Sequence, residues 1–99
     1  MKNILLLCSS GLSTSLLVNR VQKLATERDI DINVSTTSSN TYKRFADNAD
    51  VILLGPQVRY MLREVQKAAP DTTVSVIDSC AFKRMNGSAV LDHIVELLQ

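Results

Sequence analysis

Ninety-nine residues, 45% hydrophobic and 21% charged, make one ordinary globular domain, 1–99, able to bury roughly two-thirds of its unfolded-chain surface. A net charge of +1 leaves no basic stripe for nucleic-acid binding. The apolar run Ile4–Leu7 is too short for a signal peptide or a membrane span, so a cytoplasmic protein with no direct membrane insertion is expected, its two cysteines free thiols.

Residues 3–7 read as a buried strand that ends at Cys8. A helix is predicted over 13–28, with Leu17, Val18, Val21, Leu24 and Ala25 on one stripe. A strand at 31–36 follows, then a weak helix at 40–48 supported only by Tyr42, Phe45, Ala46 and Ala49. The third strand is 50–54, Asp-Val-Ile-Leu-Leu. Val58, Met61, Leu62, Val65, Ala68 and Ala69 keep helical spacing and predict a helix over 57–69, stopped by Pro70-Asp71. A fourth strand at 74–77 and a helix at 88–98, opened by Asn86-Gly87, complete the chain. No repeat, linker or low-complexity tract interrupts it.

Alternating strands and helices of these lengths imply an α/β fold with a parallel sheet and right-handed crossovers. The expected strand order is 2-1-3-4, flavodoxin-like or cysteine-phosphatase-like, with helices on both faces. Ligands of such sheets bind beyond the carboxyl ends of the strands, where the order reverses. Here that point lies between the first and third strands. The segments leaving them are Cys8–Ser13 and Gly55-Pro56-Gln57, two stretches of unusual composition.

Cys8 is followed by Ser9, Ser10, Gly11, Leu12, Ser13, Thr14 and Ser15. The first N–H groups of a helix lack intrahelical partners, and its dipole favours an anion there. Successive loop amides can close around a tetrahedral anion at the same place. Cys8 therefore reads as a nucleophile beside a phosphate cradle. Free Cys is often plain core, and one hydroxyl is needed for capping in any case, but six small residues exceed that need. Gly11 is expected to supply a backbone conformation or close approach that a Cβ would block. Gly55-Pro56-Gln57 is also readable as a turn that starts a helix.

The other candidates carry less. Cys80 shares the rim of the sheet and reads as a bystander, and Asp78 as a cap. His93, the single histidine, sits well inside the last helix, too far along for a Cys/His dyad. With only Cys8, Cys80 and His93 as soft ligands, no metal site is expected, and no cofactor is implied. Lys23, Glu27, Arg28, Arg63, Glu64 and Lys67 fall on solvent faces.

A cradle beside a thiol suggests phosphoryl transfer through phosphocysteine, either in a phosphatase or in a carrier. Cysteine phosphatases commonly use Cys-x5-Arg, the Arg neutralising transition-state charge. Here that position is Thr14, and no basic residue occurs from Cys8 to Asn19. The carrier is favoured.

The segments Cys8-Ser9-Ser10-Gly11-Leu12-Ser13-Thr14-Ser15-Leu16-Leu17 and Leu53-Leu54-Gly55-Pro56-Gln57-Val58-Arg59-Tyr60-Met61-Leu62 resemble the enzyme IIB component of the lactose/cellobiose/chitobiose class of the bacterial phosphoenolpyruvate-dependent sugar phosphotransferase system. Val76-Ile77-Asp78-Ser79 is similar too, so the likeness covers nearly the whole chain. The resemblance implies a phosphotransferase in which Cys8 accepts a phosphoryl group from a histidine of enzyme IIA. It then passes the group to a cellobiose- or chitobiose-type disaccharide presented by membrane enzyme IIC. Leu12, Pro56, Gln57 and Tyr60 are the expected docking residues. Val58 stands as either part of an apolar collar around Cys8 or wholly core. The alternative is a low-molecular-weight cysteine phosphatase or arsenate-reductase-like enzyme. A receiver-like binding module would need an acidic cluster at the strand ends, and the first strand offers none.

Overall fold

A computed structural model describes residues 1–8, 11–38 and 41–99, with the backbone alone for 11–14. The strands are β1 (Lys2–Cys8), β2 (Ile32–Ser38), β3 (Val51–Leu54) and β4 (Thr73–Val76), all parallel in the order β2-β1-β3-β4. The expected flavodoxin-like order is thus observed. The unbroken apolar run of β1 follows from its place: flanked by two strands and covered on both faces, it has no solvent side on which to alternate. Ile4, Leu6 and Cys8 face one core with Leu17, Val21, Leu91 and Ile94. Leu5 and Leu7 face the other with Ile52, Leu54, Val58 and Val65.

Among the described residues the α-helices are α1 (Gly11–Glu27), α2 (Leu62–Ala68), α3 (Ser79–Lys83) and α4 (Gly87–Leu98). Three differences from the sequence expectation have physical causes. The segment predicted as a helix over 40–48 forms two short 3-10 turns, Tyr42–Arg44 and Ala46–Asn48, and only Tyr42 and Ala46 in them are buried. Two buried side chains give too little packing to offset the cost of nucleating an α-helix. The helix predicted over 57–69 is split into a 3-10 turn, Pro56–Met61, and α2. Val58 departs from helical geometry there, at φ −114° and ψ 20°, with its side chain in the core. Finally, α3 was not expected: five residues are too few to show a periodicity. Its signature is a cap, since the Asp78 carboxylate accepts from the Ala81 N–H at 3.0 Å.

α1 begins at Gly11 rather than 13, so Gly11–Thr14 form its first turn and not a loop. Its far end is tied to α4. Arg28 pairs with Asp92 at 3.2 Å and donates to Ser88 Oγ at 3.0 Å. A Cβ on Gly87 would stand 3.2 Å from the Cβ of Arg20, so this glycine lets the two helices approach closely. Asn86 caps α4, its side chain accepting from the Ala89 N–H. Among the described residues, no helix is long and apolar enough to cross a membrane.

Candidate functional site

Cys8 is the last residue of β1, opposite Ser38 of β2, and only 4% exposed. β3 ends beside it: the Gly55 N–H donates to the Leu7 carbonyl at 2.8 Å. β4 ends next in line, with the Ile77 N–H donating to the Leu54 carbonyl at 2.8 Å. Three carboxyl-terminal strand ends are thus locked into one rim. Beyond Gly55 the chain turns at once. Pro56 occupies the first position of the 3-10 turn, and the Val58 N–H donates to the Gly55 carbonyl at 3.0 Å. Val58, 1% exposed, anchors that turn in the core.

The turn brings Gln57 back over the end of β1. The Cys8 thiol donates to Gln57 Oε1 at 3.7 Å, within reach for a sulfur donor. Gly55 makes the contact possible. A Cβ there would lie 2.9 Å from Gln57 Oε1 and 3.4 Å from Cys8 Sγ. Its backbone angles, φ −62° and ψ 152°, are ordinary, so position 55 requires space rather than a special conformation. The two segments that the strand order places together do meet, and the meeting point is Cys8 with Gln57.

The start of α1 supplies the electrostatics. Gly11–Thr14 present the first-turn N–H groups, which have no intrahelical partners, and no acidic residue stands in that turn. Ser9 and Ser10 lie outside the described residues, as do the side chains of Leu12, Ser13 and Thr14. Gly11 itself is helical, and no described glycine has a positive φ.

Pro56 is half-buried, Gln57 exposed, and Tyr60 78% exposed; Val58 belongs to the core and not to a collar. Leu16, 60% exposed in the second turn of α1, is a further apolar surface residue. Its sign in the sequence is the triplet Leu16-Leu17-Val18, of which a helix buries two. Beside Gln57 opens a cleft of about 360 Å³ lined by Pro56, Gln57, Arg59, Ser79, Phe82 and Lys83. Four of these were not expected at the site: Arg59, which follows from the 3-10 turn that replaces the expected helix, and Ser79, Phe82 and Lys83, because the cleft's far wall is α3. Cys80 is exposed on α3 and, like Cys8, is a free thiol. His93 Nε2 is engaged with Ser75 Oγ at 3.3 Å, and Asp78 caps α3 as expected.

Chemically, this is a shielded thiol with a side-chain amide at hydrogen-bonding distance and the start of a helix three residues further along the chain. Comparisons with known proteins point to one family. The family described as PTS system, lactose/cellobiose specific IIB subunit, matches residues 3–93. The oligo-beta-mannoside-specific EIIB component of Bacillus subtilis (strain 168) is 34% identical, over 99% of this chain and 97% of its own length. The galactose-specific EIIB component of Lactococcus lactis subsp. cremoris (strain MG1363) is 38% identical, over 91% of this chain and 90% of its own. In fold, the chain superposes on the lactose-specific IIB domain of Streptococcus pneumoniae with a TM-score of 0.89, at 20% identity, covering 99% of this chain and 98% of that one.

Proposed function

Because this chain belongs to the lactose/cellobiose-specific IIB family of the sugar phosphotransferase system, and so acts in phosphoryl transfer during sugar uptake, we propose that Cys8 is its phosphoryl acceptor. The observation that carries the assignment is the place of Cys8 at the reversal of strand order, with α1 starting three residues later. The donor is a phosphohistidine of enzyme IIA. Its N–P bond breaks as the S–P bond to Cys8 forms, and the thiol proton passes to the nitrogen that the phosphorus leaves. The acceptor is a hydroxyl of a sugar held by membrane enzyme IIC, which takes the phosphoryl group and returns its proton to the sulfur. The backbone of Ser9 to Thr14 is the proposed phosphate-binding segment. Leu12, Pro56, Gln57 and Tyr60 are proposed to dock the partners, a role supported by the exposure of Tyr60. The protein works at the cytoplasmic side, where both partners meet it. The relatives named above carry different sugar names, which fits a sugar choice made outside this domain.

The test is phosphoryl loading from a phosphorylated IIA protein, read by intact mass. Cys8→Ser should fold and load nothing at neutral pH, whereas Cys80→Ser should load as wild type does. Loading of Cys8→Ser to the wild-type extent would reject Cys8 as the acceptor.

A further inference from the structure

We propose that Gln57 is a positioning residue that responds to the state of Cys8: its amide accepts from the free thiol and, turned over, donates to the phosphoryl group. This rests on Cys8 being the acceptor. Three observations lead to it. The Cys8 thiol already faces Gln57 Oε1 at 3.7 Å, so the side chain reaches the sulfur without any rearrangement. The residue two before it is a glycine whose Cβ would occupy that very approach, although its backbone angles suit any residue. The buried Val58 that follows fixes the turn from which Gln57 extends.

A side-chain amide suits this place because its two ends are opposite in kind. The carbonyl oxygen accepts only, and the NH₂ group donates only. A phosphoryl group brings acceptor oxygens and no donor at neutral pH, so the oxygen of Gln57 cannot stay turned toward it. Rotation about the last side-chain bond exchanges the two ends within nearly the same volume, and Gln57 is exposed enough to turn. A hydrogen bond from a neutral donor to a charged acceptor is among the stronger kinds. Gln57 therefore favours the phosphorylated form over the free thiol, whose S–H is a weak donor. It adds a side-chain donor without a positive charge. A fixed cation in that position would hold the phosphoryl group in transfer and in rest alike.

The experiment measures the equilibrium of the phosphoryl group between a phosphorylated IIA protein and Cys8, by intact mass on both proteins, with folding checked by thermal unfolding. Gln57→Leu, similar in size but without donor or acceptor, should lower the share on Cys8 by about tenfold or more. Gln57→Glu should lower it further, since its carboxylate still accepts from the thiol but repels the phosphoryl oxygens. Gly55→Ala should resemble Gln57→Leu, and the double variant should be no worse than either single one. A merely structural glutamine would alter thermal stability and leave this equilibrium unmoved. An equilibrium within twofold of wild type in both Gln57 variants, with Cys8 loading normally in wild type, overturns the proposal. Failure of wild type to load on Cys8 would overturn the acceptor assignment itself and this inference with it.

Discussion

Val58 holds the site from below. It stands at the kink between β3 and α2, is 1% exposed, and carries on its N-terminal side the residue that touches Cys8. Val58→Ala removes two buried methyl groups and leaves a small void, which costs about 2 kcal/mol of stability. Urea denaturation should show that loss, and loading from phosphorylated IIA should slow beyond what a comparable truncation at Val90 of α4 causes. Val90 is as buried as Val58 but has no part in the turn. At this scale the helical spacing of Val58 pointed to the core it occupies, while leaving a place in the collar open, and the composition after Cys8 is what singles that residue out. The Gln57 contact was not legible. It depends on a strand register, which leaves no mark along the chain, and on the space over Gly55, a glycine the sequence shows without showing what fills that space.

Among the elements, the least regular part is the pair of 3-10 turns between β2 and β3. They are secured by Tyr42, whose hydroxyl donates to Glu64 Oε2 of α2 at 3.4 Å. Burial first, then the Glu64 charge and this hydrogen bond, raise the Tyr42 phenol above its ordinary value near 10.0. The folded protein holds that proton more tightly than the unfolded chain. Its contribution is therefore whole below pH 10 and is lost as pH climbs through the raised value. Denaturation midpoints followed from about pH 9 to about pH 11 should fall more steeply for wild type than for Tyr42→Phe. Equal slopes would mean that the phenol titrates alike in both states. Long, strongly striped elements such as α1 and α4 were readable to within two residues of their ends. Short ones were not, because 3-10 turns and a five-residue helix are set by caps and by tertiary contacts rather than by periodicity.

For the whole molecule, strand order followed from the alternation of elements, and strand order placed Cys8 beside the segment that leaves β3. The same sheet supports phosphatase-type and carrier-type chemistry, so fold alone does not decide between them. The difference lies in what speeds hydrolysis. Thr14 occupies the position of the phosphatase arginine, and His93 is engaged with β4. Backbone N–H groups hold ground and transition states with similar strength, which adds little to rate. Incubated with an aryl phosphate, the protein should release product no faster than the Cys8→Ser variant. Cys8-dependent turnover well above that blank would restore the phosphatase alternative.

The unequal exposure of the two thiols has a practical side. Cys8 is closed in by its own strand neighbours and by Gln57, whereas Cys80 stands open on α3, next to Ser79 of the cleft. A large maleimide should therefore modify Cys80 before Cys8. A fluorophore on Cys80 would sit beside the cleft next to Gln57 while leaving the Cys8 sulfur untouched. The protein thus carries its own handle for watching a partner arrive.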